Sequence, residues 1–177
     1  MRTSNLLSLT YAVFFAPVLL SAQIDAGEVT DLAGFAFKYS VATSARKSTI
    51  WRLWTDVENW KKFDTSLEYS FLADGTSFAE GAVGYLKAEG APRTKVEILN
   101  VNEGESFIVR LRLPLYQTID QQRYFEVSTA GEITFTHEVN LRGVLSPIVW
   151  VLLRGIYKRE TRSVVERLKA IAEKEIP

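Results

Sequence analysis

The sequence predicts an α+β domain in which a seven-stranded antiparallel sheet wraps around one long C-terminal helix. Residues 146–175 show a helical period sustained over about eight turns, with apolar side chains at three-and-four spacing. Residues 67–142 instead contain six segments in which apolar and polar residues alternate, separated by short connections. The helix and the sheet each have one apolar face, so each supplies the surface that the other must cover.

The composition fits a single globular domain and excludes several functions. The chain has 177 residues, 47% hydrophobic content, and 21 basic against 21 acidic residues. A nucleic-acid-binding protein needs a basic excess on one face, so the balanced charge argues against that class. The chain has no cysteine, which excludes disulfides, thiolate metal sites and a cysteine nucleophile. His137 is the only histidine, so a multi-histidine metal site is excluded too, and no cofactor is predicted.

The first 22 residues are predicted to be a signal peptide rather than part of the domain. Arg2 gives a positive n-region, residues 6–20 are apolar but interrupted by Pro17, and residues 20–22 resemble a cleavage site. The alternative is an uncleaved membrane anchor, for which this segment is short against a bilayer core of about 30 Å. We therefore expect an exported protein, periplasmic or secreted, with a flexible lead-in at residues 23–33 and one domain at residues 34–177.

The elements of this domain follow one another in a simple order. The first strand is predicted at residues 35–43, and two short helices follow it. The first helix covers residues 44–54, and the second opens at Asp56, which we expect to be its N-cap. The remaining strands are predicted at residues 67–73, 82–88, 94–101, 106–113, 118–128 and 132–142. Because every connection is short, consecutive strands are expected to be antiparallel neighbours.

The long helix is predicted to begin with Ser146 as its N-cap and Pro147 at the first helical position. From Arg159 onward it has a narrow apolar stripe with charged residues outside, which suits a helix that clamps a sheet. The burial of this stripe against the sheet is the main contact that we expect to hold the domain together.

The first half of the same helix is different, because residues 148–153 are apolar on all sides and Gly155 follows them. One hypothesis is that this half roofs a cavity, with Gly155 as a bend and Trp150 meeting a loop, a membrane surface or a partner. The alternative is that the two short helices, with Trp51 and Trp60, bury it. A peripheral membrane contact is therefore an open expectation.

Residues 50–64 and 78–84 carry a resemblance to a known superfamily. The first stretch reads Ile-Trp-Arg-Leu-Trp-Thr-Asp-Val-Glu-Asn-Trp-Lys-Lys-Phe-Asp and resembles the W-x-x-x-T/S-D-x-x-x-W-x-x-W/F pattern of the START-like polyketide cyclase/dehydrase and lipid-transport (SRPBCC) superfamily. The second, Phe-Ala-Glu-Gly-Ala-Val-Gly, is similar to the start of the strand that follows there. The resemblance covers residues 34–176 and implies the helix-grip fold, with a hydrophobic cavity between sheet and helix. Members include ligand carriers, aromatase/cyclases and stress-associated proteins, so the fold does not define the function.

The last predicted hairpin places polar side chains on the apolar face of the sheet. A three-residue loop at residues 129–131, with Gly131 in the left-handed conformation, fixes the register of the two strands. The resulting cross-strand pairs are Arg123 with His137, Gln121 with Val139, and Phe125 with Phe135. The charge of Arg123 would favour the neutral imidazole of His137. The pair either holds a carboxylate, enol or phenol oxygen of a ligand, or lies near the end of the sheet and bonds only backbone or water.

The favoured function is the binding or transport of a small hydrophobic or amphipathic molecule, such as a lipid, isoprenoid or aromatic compound. The predicted ligand-binding residues are Arg123, His137, Gln121, Tyr85, Phe107, Val109, Phe125, Phe135, Leu152 and Ile156. One alternative is a polyketide cyclase/dehydratase-like enzyme on an aromatic substrate, in which His137 and Arg123 would be the catalytic groups. A second alternative is an envelope-stress or interaction protein without a small ligand. The sequence has no serine–histidine–acid set and no glycine-rich phosphate loop, so a nucleophilic enzyme is disfavoured.

Overall fold

Eight antiparallel strands and one long helix form the fold in the computed structural model, which describes residues 27–73 and 76–175. The elements are β1 (Glu28–Leu32), β2 (Ala36–Thr43), α1 (Lys47–Thr55), a 3₁₀ helix (Val57–Lys62), β3 (Leu67–Leu72), β4 (Val83–Ala88), β5 (Thr94–Asn102), β6 (Ser106–Arg112), β7 (Thr118–Val127), β8 (Ile133–Arg142) and α2 (Ser146–Lys174). The strand order across the sheet is β1-β2-β8-β7-β6-β5-β4-β3. The predicted signal peptide, residues 1–22, lies outside the described residues. Within those residues, no helix is both long and apolar enough to cross a membrane.

The predicted α+β class is confirmed, but the sheet has eight strands where the sequence predicted seven. The additional strand, β1, falls in the segment predicted to be a flexible lead-in, and it pairs with β2 from Glu28 opposite Ser40 to Leu32 opposite Ala36. β1 is an edge strand with mostly exposed side chains. Such a strand carries little hydrophobic periodicity, because only one of its sides is paired and its faces are largely in water.

Neither of the two predicted helix caps makes a capping hydrogen bond, because other side chains bind the side-chain oxygens. Asp56 is the N-cap residue of the 3₁₀ helix, as predicted, but its carboxylate accepts hydrogen bonds from Asn59 Nδ2 at 2.9 and 3.0 Å and makes no capping bond to a backbone amide. Leu145 is the N-cap of α2. Ser146 is already helical, and its hydroxyl donates to Gln117 Oε1 at 3.3 Å. A cap prediction considers only the helix's own amides, so it does not detect such competition.

Two clusters of buried apolar side chains fill the space between the sheet and α2. The larger core cluster packs α1 and the second half of α2 on the sheet, and includes Trp54, Phe107, Phe135, Val165 and Leu168. The smaller core cluster lies under the first half of α2 and consists of Phe37, Ile119, Val139, Leu141 and Trp150. The ring of Trp150 lies 6.4 Å from that of Phe35 and 6.1 Å from that of Phe37. Trp150 is therefore covered by the sheet and by Phe35 in the β1–β2 turn, so it meets a loop, as one hypothesis from the sequence stated, and the two short helices do not bury it.

The predicted register of the last hairpin is confirmed. β7 and β8 pair Arg123 with His137, Gln121 with Val139, and Phe125 with Phe135. The hairpin is closed by the Ser128 amide, which donates to the Glu132 carbonyl at 2.9 Å. Gly131 has a φ of 85°, in the left-handed region that glycine adopts without strain. The turn therefore fixes which side chains face α2.

We predict that Gly155→Ala stabilises the protein. α2 runs without interruption from Ser146 to Lys174, and a Cβ at Gly155 would meet no atom within 4 Å. Alanine loses less backbone entropy than glycine in a helix interior, so the free energy of unfolding should rise by about 0.5–1 kcal/mol, measured by urea denaturation. Gly143→Ala is the contrasting control, because its φ is 132° and its Cβ would lie 2.3 Å from Gln117 Nε2. A loss of stability in Gly155→Ala would instead support the bend that the sequence suggested.

Candidate functional site

A cavity of about 370 Å³ lies between the sheet and α2, lined by residues of both core clusters. This volume is at the lower end of the roughly 300–1,000 Å³ that is usual for small-molecule sites. The apolar part of the wall includes Leu67, Leu86, Leu111, Val139, Ile156 and Val164. The polar and charged part includes Asp64, Gln121, Arg123, His137, Glu160 and Thr161. The space can therefore take a molecule with a mainly apolar body and a small number of polar atoms.

The sheet register brings the central polar residues of this wall together. Tyr39 on β2, His137 on β8, Arg123 on β7 and Phe107 on β6 are successive cross-strand partners. Directly opposite residues on one face have Cβ atoms about 4.5–5.5 Å apart, so the four side chains form a row across the inner face. A cation and an imidazole therefore lie side by side between two aromatic rings.

Arg123 is a buried cation with unpaired donors. Its side chain is 4% exposed, and its Nε and Nη1 have no hydrogen-bond partner among residues 27–73 and 76–175. The guanidinium carbon lies 4.6 Å from the ring centre of Trp60 and 5.6 Å from that of Phe107. These cation–π contacts offset part of the cost of burial, but they do not satisfy the N–H groups. Burial lowers the pKa of Arg123 to about 10, against the opposing effect of Asp64, so the side chain remains charged at neutral pH.

His137 is a buried neutral imidazole. Its Nε2 accepts a hydrogen bond from the indole Nε1 of Trp54 at 2.9 Å. Because an indole N–H can only donate, Nε2 carries no proton, and we assign the proton of the neutral ring to Nδ1. Burial is the larger cause that lowers the pKa of His137 well below its ordinary value, and the charge of Arg123 is the second. The neutral state agrees with the prediction, which rested only on the smaller cause, the charge of Arg123.

This hydrogen bond limits the chemistry of His137. The ring nitrogen that could accept a proton is already engaged by Trp54, and protonation there would set two N–H groups against each other. The lowered pKa of His137 also disfavours protonation of the ring. In the described part of the chain, no group of three or more histidine or acidic side chains is placed to hold a metal ion. The site is therefore better equipped to hold a polar atom than to transfer a proton.

Four of the ten predicted ligand-binding residues line the cavity: Gln121, Arg123, His137 and Ile156. A second group faces the same side of the sheet but packs in or against the larger core cluster instead: Phe107, Val109, Phe125 and Phe135. Tyr85 lies on the opposite face, where its ring centre is 5.8 Å from that of Phe71 and 3.7 Å from the Arg93 guanidinium carbon. Leu152 is 70% exposed. The expectation that Tyr85 and Leu152 border the cavity is therefore wrong.

The contributions of two tryptophans and of Asp64 to the site were not predicted from the sequence. Trp54 was not among the predicted site residues, but its indole bonds His137, and Trp60 lines the cavity and stacks on Arg123. Asp64 also lines the cavity, and its Oδ1 accepts hydrogen bonds from the Ser66 amide and hydroxyl at 3.2 and 2.6 Å. The signal was present in the sequence, because Trp60 and Asp64 stand one helical turn apart in the stretch that carries the superfamily resemblance.

An antiparallel sheet that grips a C-terminal helix over an apolar cavity defines the START-like, helix-grip fold, and solved structures agree. The chain is similar to a START superfamily protein from Mycobacterium smegmatis, with 11% identity and a TM-score of 0.60 over 80% of this chain and 99% of that one. It is similar to the di-domain ARO/CYC protein StfQ from the steffimycin biosynthetic pathway, with 11% identity and a TM-score of 0.61 over 79% of this chain and 51% of that one. It is also similar to Ara h 8.0201, with 11% identity and a TM-score of 0.61 over 79% of this chain and 98% of that one.

At these identities the likeness shows the fold alone. No protein-family model matches the sequence, and the curated proteins give no significant match. The resemblance predicted from residues 50–64 and 78–84 is thus confirmed at the level of the START-like fold.

Proposed function

We propose that the protein binds a small amphipathic molecule in the cavity, with its apolar body against the leucine and valine wall and an oxygen atom at Arg123. The observation that carries this proposal is the buried, unpaired guanidinium at the wall of a cavity of about 370 Å³. Nearly all buried donors in folded proteins have a partner. A ligand oxygen would supply the partner that the described side chains do not.

The electrostatics of the cavity favour an oxygen acceptor at its inner wall. Arg123 is the buried charge, whereas Asp64 and Glu160 are only partly buried. Asp64 raises the pKa of Arg123, so it stabilises the cation, but the two groups form no ion pair within 4.0 Å. Gln121 stands two residues before Arg123 on the same face of β7 and adds a neutral amide. A carboxylate, an enol or a phenol on an apolar body fits this arrangement.

Binding or transport is a better-supported proposal than the cyclase alternative. Two of the similar structures are named for a START superfamily protein and for an ARO/CYC protein of a biosynthetic pathway, so the fold occurs in both contexts. The cyclase-like reaction would use His137 as an acid–base group. The hydrogen bond from Trp54 to Nε2 and the lowered pKa of His137 both oppose that use.

Filling the cavity is expected to abolish binding. Ala88 lines the cavity on β4, and Ala88→Phe would place a ring in the space that the ligand occupies. Ala42→Phe is the matched control, since Ala42 is also a half-buried strand alanine but alternates with buried Val41 and faces away from α2. Native mass spectrometry of each protein, purified from its own host, should show a bound small molecule for wild type and Ala42→Phe, and at least a tenfold lower occupancy for Ala88→Phe.

Titration calorimetry with 2-naphthoate provides a second measurement in case the natural ligand is lost during purification. Wild type and Ala42→Phe should bind 2-naphthoate, and Ala88→Phe should bind it much more weakly. The proposal is overturned if no protein binds either ligand, or if Ala88→Phe binds as well as wild type.

A further inference from the structure

Seven of the ten exposed large hydrophobic side chains of the described residues lie at one end of the molecule. We call them the end patch; its members are Leu115, Tyr116, Val144, Ile148, Val151, Leu152 and Ile156. Tyr116 is 98% exposed, Val144 89% and Val151 74%. Single exposed apolar residues are normal on a protein surface, but a large contiguous group marks an interaction site.

The end patch is contiguous because a buried glutamine joins its parts. Gln117 is the last residue of the β6–β7 loop, is 4% exposed, and accepts a hydrogen bond from the Ser146 hydroxyl at the start of α2. Gly143, in the β8–α2 connection, approaches Gln117 so closely that a Cβ there would lie 2.3 Å from Nε2. The β6–β7 loop, the β8–α2 connection and the first turns of α2 are therefore held side by side.

The loop in this patch has an unusual backbone conformation. Leu115 and Tyr116 have φ angles of 58° and 57°, in the left-handed region. Residues with large side chains rarely adopt this backbone conformation. The strained conformation does not serve core packing, because the side chains of both residues are strongly exposed. Strain of this kind is typical of functional loops.

The charges beside the end patch are mostly basic. Along the exposed side of α2, the apolar positions Ile148, Val151, Leu152 and Ile156 are followed at three-and-four spacing by Arg159 and Arg162. Residues 146–162 contain four basic residues, Arg154, Lys158, Arg159 and Arg162, against one acidic residue, Glu160. Lys158 is paired with Asp31 at 2.5 Å, and Arg159 Nε lies 3.4 Å from Glu160 Oε1. The side chains of Arg154, Arg159 and Arg162 are exposed. A helix with exposed apolar residues flanked by arginines suits the boundary between acyl chains and anionic headgroups.

We propose that the end patch docks the protein on an anionic lipid surface, with its apolar side chains among the acyl chains and Arg154, Arg159 and Arg162 on the phosphates. A second copy of the chain is a poorer occupant, because a symmetric contact through the patch brings the same arginines of both copies together. Ile156 belongs to the end patch and also lines the cavity. Docking therefore places the cavity wall next to the membrane, although the proposal does not depend on the nature of the ligand.

A single-cysteine label tests this proposal directly, because the chain contains no cysteine. Leu152→Cys, carrying an environment-sensitive nitrobenzoxadiazole dye, reports on the end patch. Val127→Cys is the matched control. Val127 is also an apolar residue with an exposed side chain, 56% accessible to solvent, but it lies at the end of β7 in the β7–β8 hairpin, away from the end patch. With vesicles of phosphatidylcholine plus phosphatidylglycerol, the dye at residue 152 should shift to the blue and become protected from iodide quenching. The dye at residue 127 should show neither change.

Two results would overturn the proposal: a dye at residue 152 that remains fully quenchable with these vesicles, and a blue shift that appears without vesicles and grows with protein concentration. The second result would identify a second copy as the occupant. The full chain is used throughout, so any contribution of residues 1–22 is common to every variant.

The basic residues provide an independent measurement. Arg154→Gln and Arg159→Gln should each weaken vesicle binding about fivefold at low salt, as expected for one cation near an anionic surface. Lys62→Gln removes an exposed charge from the 3₁₀ helix and should leave vesicle binding unchanged. Equal losses in all three variants would show that only net charge matters, which contradicts a docking surface at the end patch.

Discussion

Arg123→Met is expected to make the protein more stable and, at the same time, a poorer binder of acids. Methionine fills a similar volume without a charge or N–H groups, so it removes the desolvation cost of a guanidinium that is 4% exposed and has two unpaired nitrogen atoms. The variant loses the cation–π contact with Trp60. The net gain in the free energy of unfolding should be about 1–2 kcal/mol, measured by urea denaturation of ligand-free protein.

The loss of binding is measured with three matched probes: 2-naphthoate, 2-naphthylmethanol and naphthalene. In the wild type, a charge-assisted hydrogen bond to Arg123 should favour the acid over the hydrocarbon by about 10- to 100-fold. Arg123→Met should bind all three with similar affinity, since the apolar wall is unchanged. Gln121→Met is the control, because Gln121 lines the same wall without a charge, and this variant should keep most of the preference for the acid.

The opposite pattern would contradict the proposed function. If Arg123→Met lowers stability and leaves the preference for the acid unchanged, then Arg123 is a structural residue and the ligand oxygen binds elsewhere. If Arg123→Met is more stable but the wild type binds none of the three probes, the buried cation has no explanation and the proposed ligand site is contradicted. Because the two readouts are separate, the structural and the functional claims about Arg123 can fail independently.

The part of the site that could be predicted from the sequence is the part fixed by local geometry. The pairing of Arg123 with His137 follows from strict alternation in β7 and β8 and from a turn that only Gly131 can close without strain. A shift of one residue would turn the apolar side chains of a whole strand to the solvent, so only one register of β7 against β8 was consistent with the sequence. β1 has no set of apolar side chains to bury, so its pairing could not be predicted in this way.

The β4 part of the cavity wall could not be predicted in the same way, because small side chains border the cavity on this strand. On β4 the inner positions are taken by Gly84, Leu86 and Ala88, and the larger Tyr85 therefore points outward to Phe71 and Arg93. Tyr85, the aromatic residue of this strand, was therefore the wrong prediction for the wall. Aromatic residues occur both in the filled core and, like Trp60, at the cavity wall, so their size alone does not show which of them border the cavity.

The placement of Leu152 failed for a related reason. Residues 148–153 are apolar on all sides, so periodicity does not select an inward face in this half of α2. The selection comes from Trp150, Tyr157 and Val164, which recur at seven-residue spacing and contact the sheet side. Leu152 lies away from this line and is left on the surface.

Acidification below about pH 6.5 is expected to destabilise the protein through His137. In the unfolded chain this histidine binds a proton near its ordinary pKa, whereas in the folded protein burial and Arg123 hold its pKa well below that value. Below pH 6.5 the unfolded state therefore binds more protons than the folded state, and the free energy of unfolding falls as the pH falls, by up to about 1.4 kcal/mol per pH unit, until the folded pKa is reached. Above pH 6.5 the ring is neutral in both states and contributes no dependence.

His137→Gln isolates this effect, because the glutamine carbonyl can still accept the hydrogen bond from Trp54 while it cannot be protonated in this range. Carboxylates contribute equally to both proteins, so the difference between their urea-unfolding free energies, measured in steps from about pH 7 to about pH 5, reports His137 alone. Because His137 is the only histidine, its imidazole signals can also be followed by nuclear magnetic resonance without assignment. In the folded protein they should remain those of the neutral Nδ1–H form at pH values where the imidazole of the unfolded chain is protonated. Parallel pH profiles for the two proteins would show that the folded protein protonates His137 readily, and a protonated ring beside Arg123 would in turn require that the hydrogen bond from Trp54 is broken.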